Sequence, residues 1–390
     1  MSGGASKGAL RLHKGLLDIG VESHLCGNNN TLENIENLIE LSFLDKVKYS
    51  INRKKNTLDL SRYNDKSDEI FSVGKDPFNC FKHINFSDYD IVNLHWVNYS
   101  INIDFIGYLK TQTKLVWTLR DMWPFTGGCH YSLDCIGYKK VCGYCPKLKS
   151  NSETDISNSL LLKKQLAFKN IQFIAISDWL KTEALSSTIL NNSSIDTIYN
   201  SVDVSEFTVI NDIAAIESLK KKFNIKTTKK IILTGAQDVM DTYKGPGFVR
   251  EFIKLHSDEF YFIIFGQNAE TLTSGLDVEN IQLVGFQDEP SLAKLYNIAD
   301  YFLMCSIQEG FGKTIVESLS CGTPVITLAG GAPEELILAT EGGFIWDGVS
   351  KLDLSAQKSP EKLSLNAKNK FSLETIAKLY ESKYVEITSG

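Results

Sequence analysis

Residues 301–335, YFLMCSIQEGFGKTIVESLSCGTPVITLAGGAPEE, constrain this chain more than any other stretch. Tyr301–Met304 reads as a buried strand. A loop with two glycines follows, then a helix over Lys313–Ser320 and a second strand over Val325–Leu328 that ends in Gly330-Gly331. Glu309 and Glu317 stand eight positions apart on either side of Gly310-Phe311-Gly312. With Glu309 at the carboxyl end of the strand and Glu317 just over one turn into the helix, both are expected to face the crevice above the sheet. The backbone N–H groups at the helix start point into the same space, with the positive end of the dipole behind them, which suits an anion. A carboxylate cannot bind the phosphate itself. Beside an anion it accepts hydrogen bonds from hydroxyls, and sugars and riboses supply those. An ordinary strand-loop-helix unit with solvated glutamates is the other reading of these residues.

The run EGFGKTIVE, followed by SLSCGTPVI and GGAPEEL, resembles the retaining glycosyltransferases of family 4. The resemblance implies an α/β chain with the GT-B fold, two Rossmann-like domains facing each other across a cleft. It covers nearly the whole chain and is strongest over residues 88–148 and 230–345.

A length of 390 residues suits two domains of ordinary size, and 43% hydrophobic with 23% charged residues is the composition of a soluble globular protein. No apolar run approaches the length of a bilayer span and no signal-peptide pattern opens the chain, so a cytoplasmic protein is expected. A net charge of −6 argues against nucleic-acid binding, which needs cations to neutralise phosphates.

The chain opens on MSGGASKGALRLHKGLLDIG, which reads as a Gly3-Gly4 turn before an amphipathic helix over 5–18. In the family such a turn follows a first buried strand and brings backbone N–H groups near the donor. That strand is missing here, so the expectation is either a start internal to a longer product or a sheet built differently. A short strand is expected over 21–26 and a helix over 32–44. The segment 46–55, KVKYSINRKK, is locally basic and reads either as a solvated face or as a peripheral contact with anionic lipid headgroups.

The β-rich runs DIVNL (90–94) and KLVWT (114–118) lack alternation, as strands of a parallel sheet buried on both faces do. The loop after the first holds His95 and Trp96. The loop after the second holds Arg120 and Asp121, then Met122-Trp123-Pro124. In the similar part of the family the second loop begins Leu-His-Asp-Met-Trp-Pro, and its His faces the donor sugar. Arg120 stands there instead, and an arginine neither accepts a hydrogen bond nor titrates near pH 7. His95 and His130 are candidate cleft histidines or satisfied structural ones. Cys129, Cys135, Cys142 and Cys145 crowd one segment and could hold a structural zinc tetrahedrally or stay free thiols.

Asn200-Ser201-Val202-Asp203 resembles the family's interdomain segment, so the expected domains are 1–203 on the acceptor side, 204–370 binding nucleotide sugar, and a helix at 371–390 crossing back to the first. The second half repeats the βα rhythm. Lys244 beside Gly245, at a helix start, is placed to meet a diphosphate, whereas Ala236 stands where many relatives carry an arginine. Phe286 ends a strand where relatives meet the nucleobase.

The resemblance implies transfer of a sugar, with retention and without a divalent metal, from a nucleotide-diphosphate sugar to a hydroxyl of a surface polysaccharide or lipid-linked glycan. Glu309, Arg120 and His95 are the candidate catalytic residues. Gly3, Gly4, Lys244, Gly245, Phe286, Gly310, Phe311, Gly312 and Glu317 are the candidate donor-binding residues. Such work suits the cytoplasm at the inner face of the plasma membrane. A degenerate relative that binds sugar nucleotide without turnover is the other function these departures fit.

Overall fold

A computed structural model describes residues 4–27, 34–63, 66–67, 69–356 and 358–389. It contains two compact units, Met1–Tyr199 with Ile376–Gly390, and Asn200–Thr375. The division falls a few residues before the 203/204 boundary read from the sequence.

The first unit opens on helix α1 (Gly4–Asp18), strands β1 (Leu25–Gly27) and β2 (Leu38–Glu40), and helix α2 (Phe43–Leu60). Gly4 is the first residue of α1 rather than part of a turn, and Gly3 lies outside the described residues. The helix expected over 32–44 does not form. Leu38 and Ile39 pair with Leu25 and Cys26 in a two-stranded parallel sheet, and the helix starts only at Phe43. Ser42 fixes that start: its Oγ accepts from the Asp45 N–H at 3.1 Å.

The main sheet follows: β3 (Ile91–Leu94), α3 (Ile103–Leu109), β4 (Lys114–Leu119), α4 (Ile156–Ala167), β5 (Gln172–Ala175), α5 (Asp178–Leu185) and β6 (Ile195–Thr197). Its four strands lie in chain order and are all parallel. Leu115 to Leu119 are buried without interruption, which is why β4 shows no alternation. Leu12 and Leu16 of α1 pack on Val116, Ile174 and Ile198.

In the second unit, helix α6 (Ile213–Lys222) precedes β7 (Lys230–Asp238), α7 (Pro246–His256), β8 (Phe260–Gln267), α8 (Ala269–Thr273), β9 (Ile281–Gly285) and α9 (Glu289–Ile298). Then come β10 (Tyr301–Met304), α10 (Lys313–Ser320), β11 (Val325–Leu328), α11 (Gly331–Thr340), β12 (Gly343–Trp346) and α12 (Pro360–Phe371). All six strands are parallel, in the order β12-β11-β10-β7-β8-β9. Counting within the unit, this is the doubly wound order in which the chain leaves β7 in one direction and later returns to its other side with β10. Ligands of such sheets bind outside the carboxyl ends of the strands where the order reverses, here between β7 and β10.

The last helix, α13 (Leu373–Ser389), returns to the first unit. Ile376, Ala377 and Tyr380 join the core formed by α1, β4 and β5, while Leu379 is half-exposed on the other side.

Candidate active site

The loops after β7 and β10 are locked together at this reversal. The carbonyl of Tyr243 accepts the N–H of Ile307 at 2.9 Å, and Lys244 Nζ donates to Glu309 Oε2 at 2.6 Å. Gly245 adopts a left-handed conformation (φ +67), and a Cβ there would lie 2.1 Å from the carbonyl oxygen of Cys305. Only a glycine lets the two loops approach so closely. Gly312, also left-handed (φ +83), turns the β10 loop into α10. Lys244 is a quarter exposed and Glu309 is 15% exposed, so the pair is open to a ligand while remaining shielded from bulk water. The Lys244 ammonium also lies 5.0 Å from the centre of the Tyr243 ring.

Glu317, expected to face the same space as Glu309, has no exposed surface in this structure. Its Oε1 accepts from Lys313 Nζ at 2.9 Å, and that ammonium is 3.9 Å from Glu289 of α9. Burial and the Glu317 charge together hold the Tyr296 phenol well above its usual range. The cause is helical geometry. Lys313 and Glu317 are four residues apart on one face, and α10 is buried from Ile315 to Ser320, so the lysine lies over the carboxylate. Phe311 also turns inward: its ring is 2% exposed and meets Phe371 edge-on at 5.7 Å, which leaves its backbone as the part available to a ligand. Phe286, by contrast, is 66% exposed beyond the end of β9.

In the first unit, Arg120 and His95 meet at the carboxyl edge of β4 and β3. Arg120 Nε donates to His95 Nδ1 at 3.2 Å, and its Nη1 lies against Gly8 of α1. Burial first, and the Arg120 charge second, hold the imidazole pKa well below its usual value, so His95 is neutral at pH 7. Tyr380 and Tyr384 of α13 reach the same edge, through Thr118 at 3.2 Å and Asn93 at 2.7 Å.

His130 belongs to the structural class. Its Nδ1 bonds Asp121 at 2.7 Å and its Nε2 bonds Ser72 Oγ at 2.9 Å. This is the connectivity of a Ser-His-Asp triad, but Ser72 is fully buried and His130 is 3% exposed, so no substrate reaches the hydroxyl.

The four clustered cysteines share one loop, in which Cys129 lies close enough to interact with the other three. Among the described residues no group of three or more His, Cys, Asp or Glu side chains is placed to hold a metal ion. Cys142 and Tyr144 take left-handed conformations, and the Cys142 sulfur accepts the N–H of Gly127. Cys129 instead donates to Cys145, which pulls the Cys145 thiol below its usual range. No two of the four are joined in a disulfide.

A buried lysine braces this loop. Lys164 donates to the Trp123 and Thr126 carbonyls and sits 3.6 Å from the Trp123 ring centre. Burial pushes its pKa down to about 7. In the unfolded chain the amine titrates near ~10.4, so between these values the unfolded state holds the extra proton. Stability therefore rises as pH climbs from about 7 towards 10, and the burial cost is present in full below that window. Subtracting the urea-unfolding free energies of Lys164→Met from those of the parent across this range should isolate the rise. A difference independent of pH would contradict it.

Sequence reasoning missed the Tyr243 carbonyl, the Gly8–Arg120 contact and the Lys313 cover. The first two are backbone and tertiary features with no side-chain pattern. The third was legible as a Lys–Glu pair at i,i+4.

Against known structures the chain matches the crystal structure of a glycosyltransferase from Rickettsia africae ESF-5 at 20% identity, covering 99% of this chain and 95% of that one with a TM-score of 0.63. The structure of HepE from Anabaena with UDP-glucose matches at 16% identity over 77% of this chain and 79% of that one, TM-score 0.53. Residues 215–363 match the family model described as "Glycosyl transferases group 1". The family match is confined to residues 215–363, on a chain with the GT-B fold. In sequence, the chain is 25% identical over 284 residues to WcaC of Escherichia coli K12, named as a colanic acid biosynthesis glycosyl transferase. That match spans 70% of this chain and 66% of the relative.

Proposed function

We propose that the protein is a retaining glycosyltransferase of family 4 that moves a sugar from a nucleotide-diphosphate donor to a hydroxyl of a surface polysaccharide or its lipid-linked precursor. The Lys244–Glu309 pair at the strand-order reversal, beside the start of α10, carries this reading. Lys244 meets the diphosphate, Glu309 accepts from donor-sugar hydroxyls, and Glu317 accepts from the ribose once Lys313 swings aside. As the glycosidic bond breaks, negative charge grows on the departing phosphate oxygen and the sugar becomes oxocarbenium-like. An ammonium and the positive end of a helix dipole facing that oxygen lower the barrier, so no divalent metal is required. The acceptor hydroxyl enters on the leaving-group face and passes its proton to the phosphate. The UDP-glucose bound by HepE and the colanic acid name of WcaC support a nucleotide-sugar donor and a polysaccharide acceptor. Among the described residues no helix is long and apolar enough to cross a membrane, and we place the work at the inner face of the plasma membrane.

Incubation with a panel of nucleotide sugars tests this: slow release of nucleoside diphosphate is expected from one of them. Binding without release favours a degenerate relative, and one observation points that way. Arg120 occupies the position of the family's sugar-facing histidine and is committed to His95. Arg120→His is expected to raise turnover and bring a new ionisation into the pH–rate profile between pH 5 and 8. An unchanged profile in an active enzyme would remove Arg120 from the catalytic account.

A further inference from the structure

Helix α2 is built inside out. The residues it turns into the first unit are mostly polar: Asp45, Asn52, Asn56 and the half-buried Tyr49, with Leu60 at the end. Their polar groups are occupied. Asn52 donates to the Phe78 and Tyr99 carbonyls, both at 2.8 Å, and accepts from the Phe78 N–H. Asn56 accepts from the Val73 N–H at 2.7 Å and donates to the Phe71 carbonyl. The large apolar residues point the other way. Phe43 is 80% exposed, Leu44 68%, Val47 41%, Ile51 42% and Leu58 67%.

At ~100° per residue these five fall within one sector of about 100°, directly opposite the buried face. Cations border the sector on both sides, Lys46 and Arg53 along one edge, Lys48 and Lys55 along the other, with Lys54 among the apolar residues. Asp45 and Asp59, the acids of the helix, are already paired with Lys48 and Lys55. In a chain of net charge −6, this concentration of positive charge around exposed hydrocarbon is local. Neither ingredient suffices alone, since scattered apolar side chains and solvated lysines are both ordinary on protein surfaces. Together on one face they match a helix lying in a lipid interface, with its apolar side chains among the acyl chains and lysines reaching the headgroups.

We propose that α2 docks the first unit on an anionic lipid surface. Phe43, Leu44, Val47, Ile51 and Leu58 enter the interface, and Lys46, Arg53 and Lys54 meet headgroup phosphates. The inference stands independently of the nucleotide-sugar reading, because α2 contributes no residue to the site around Lys244.

Flotation of the full chain with vesicles tests it. Binding is expected to phosphatidylcholine vesicles containing phosphatidylglycerol, and not to phosphatidylcholine alone. Raising the salt from ~0.1 M to ~1 M shortens the screening length from ~10 Å to ~3 Å and should release most of the bound protein. The exposed pairs Lys46→Glu with Lys54→Glu, and Val47→Asp with Ile51→Asp, should each lower partitioning about tenfold or more without lowering the melting temperature. The proposal is overturned if the parent stays unbound to anionic vesicles, if it binds both compositions equally, or if both double variants float like the parent. It is equally overturned if light scattering shows a dimer that the Val47 and Ile51 changes dissociate, since the face would then belong to a second copy. Donor release measured in solution should be unaltered in both variants, which separates failure here from failure of the donor site.

Discussion

Lys244→Met is expected to lower kcat/KM for donor turnover by about 10²–10³-fold, with most of the loss in kcat. Methionine keeps the length of the side chain and removes only the ammonium, so packing on the Tyr243 ring survives while the cation proposed to face the diphosphate does not. The larger part of the loss belongs to the transition state, where the departing phosphate carries more charge than the bound donor does. A second effect acts in the same direction. Glu309 loses the partner now 2.6 Å away, and a carboxylate freed beside a diphosphate repels it. Steady-state rates with the donor found active in the nucleotide-sugar panel check the prediction. A loss confined to KM would show that Lys244 only holds the ground state, and full activity would remove it from the site.

Gly245→Ala is expected to destabilise the second unit by about 3 kcal/mol and to abolish donor binding. The left-handed backbone costs an L-residue about 1–2 kcal/mol. The added methyl would also stand 2.1 Å from the Cys305 carbonyl oxygen, so the β7 and β10 loops must separate. Separation breaks the Ile307–Tyr243 backbone bond and the Lys244–Glu309 pair together. For a unit of this size the melting temperature should fall by about 6–12 °C. Gly247→Ala is the matched comparison, because a Cβ at Gly247 meets nothing within 4 Å. Equal stability for the two variants would show that the loops are not packed as described.

The second unit was largely legible in the sequence because its strands are short, wholly apolar runs separated by helices, and a parallel sheet buried on both faces leaves no other pattern. Tyr301–Met304, Lys313–Ser320 and Val325–Leu328 lie where the residues place them. The amino-terminal region was less legible. Leu38–Glu40 is a three-residue strand whose partner is reached across the chain, too short to impose a period of two, and its leucine and isoleucine suit a helix equally well. The site was readable as far as residue identity reached. The spacing of Glu309 and Glu317 placed each on its element. The Lys313–Glu317 pair at i,i+4 was legible there as well, but not the full burial of that carboxylate, which depends on α10 being packed against α9 and α12. The left-handed turns at Cys142 and Tyr144 were likewise illegible in the cysteine spacing, because they depend on how the loop packs and not on which residues it holds.

Hydrogen exchange of the full chain, with and without a saturating nucleoside-diphosphate sugar, tests the central claim most directly. The account predicts slowed exchange in the two loops at the strand-order reversal, 236–245 and 305–314, and loss of that protection in Lys244→Met. Saturable binding that protects other segments while leaving both loops unchanged would contradict it.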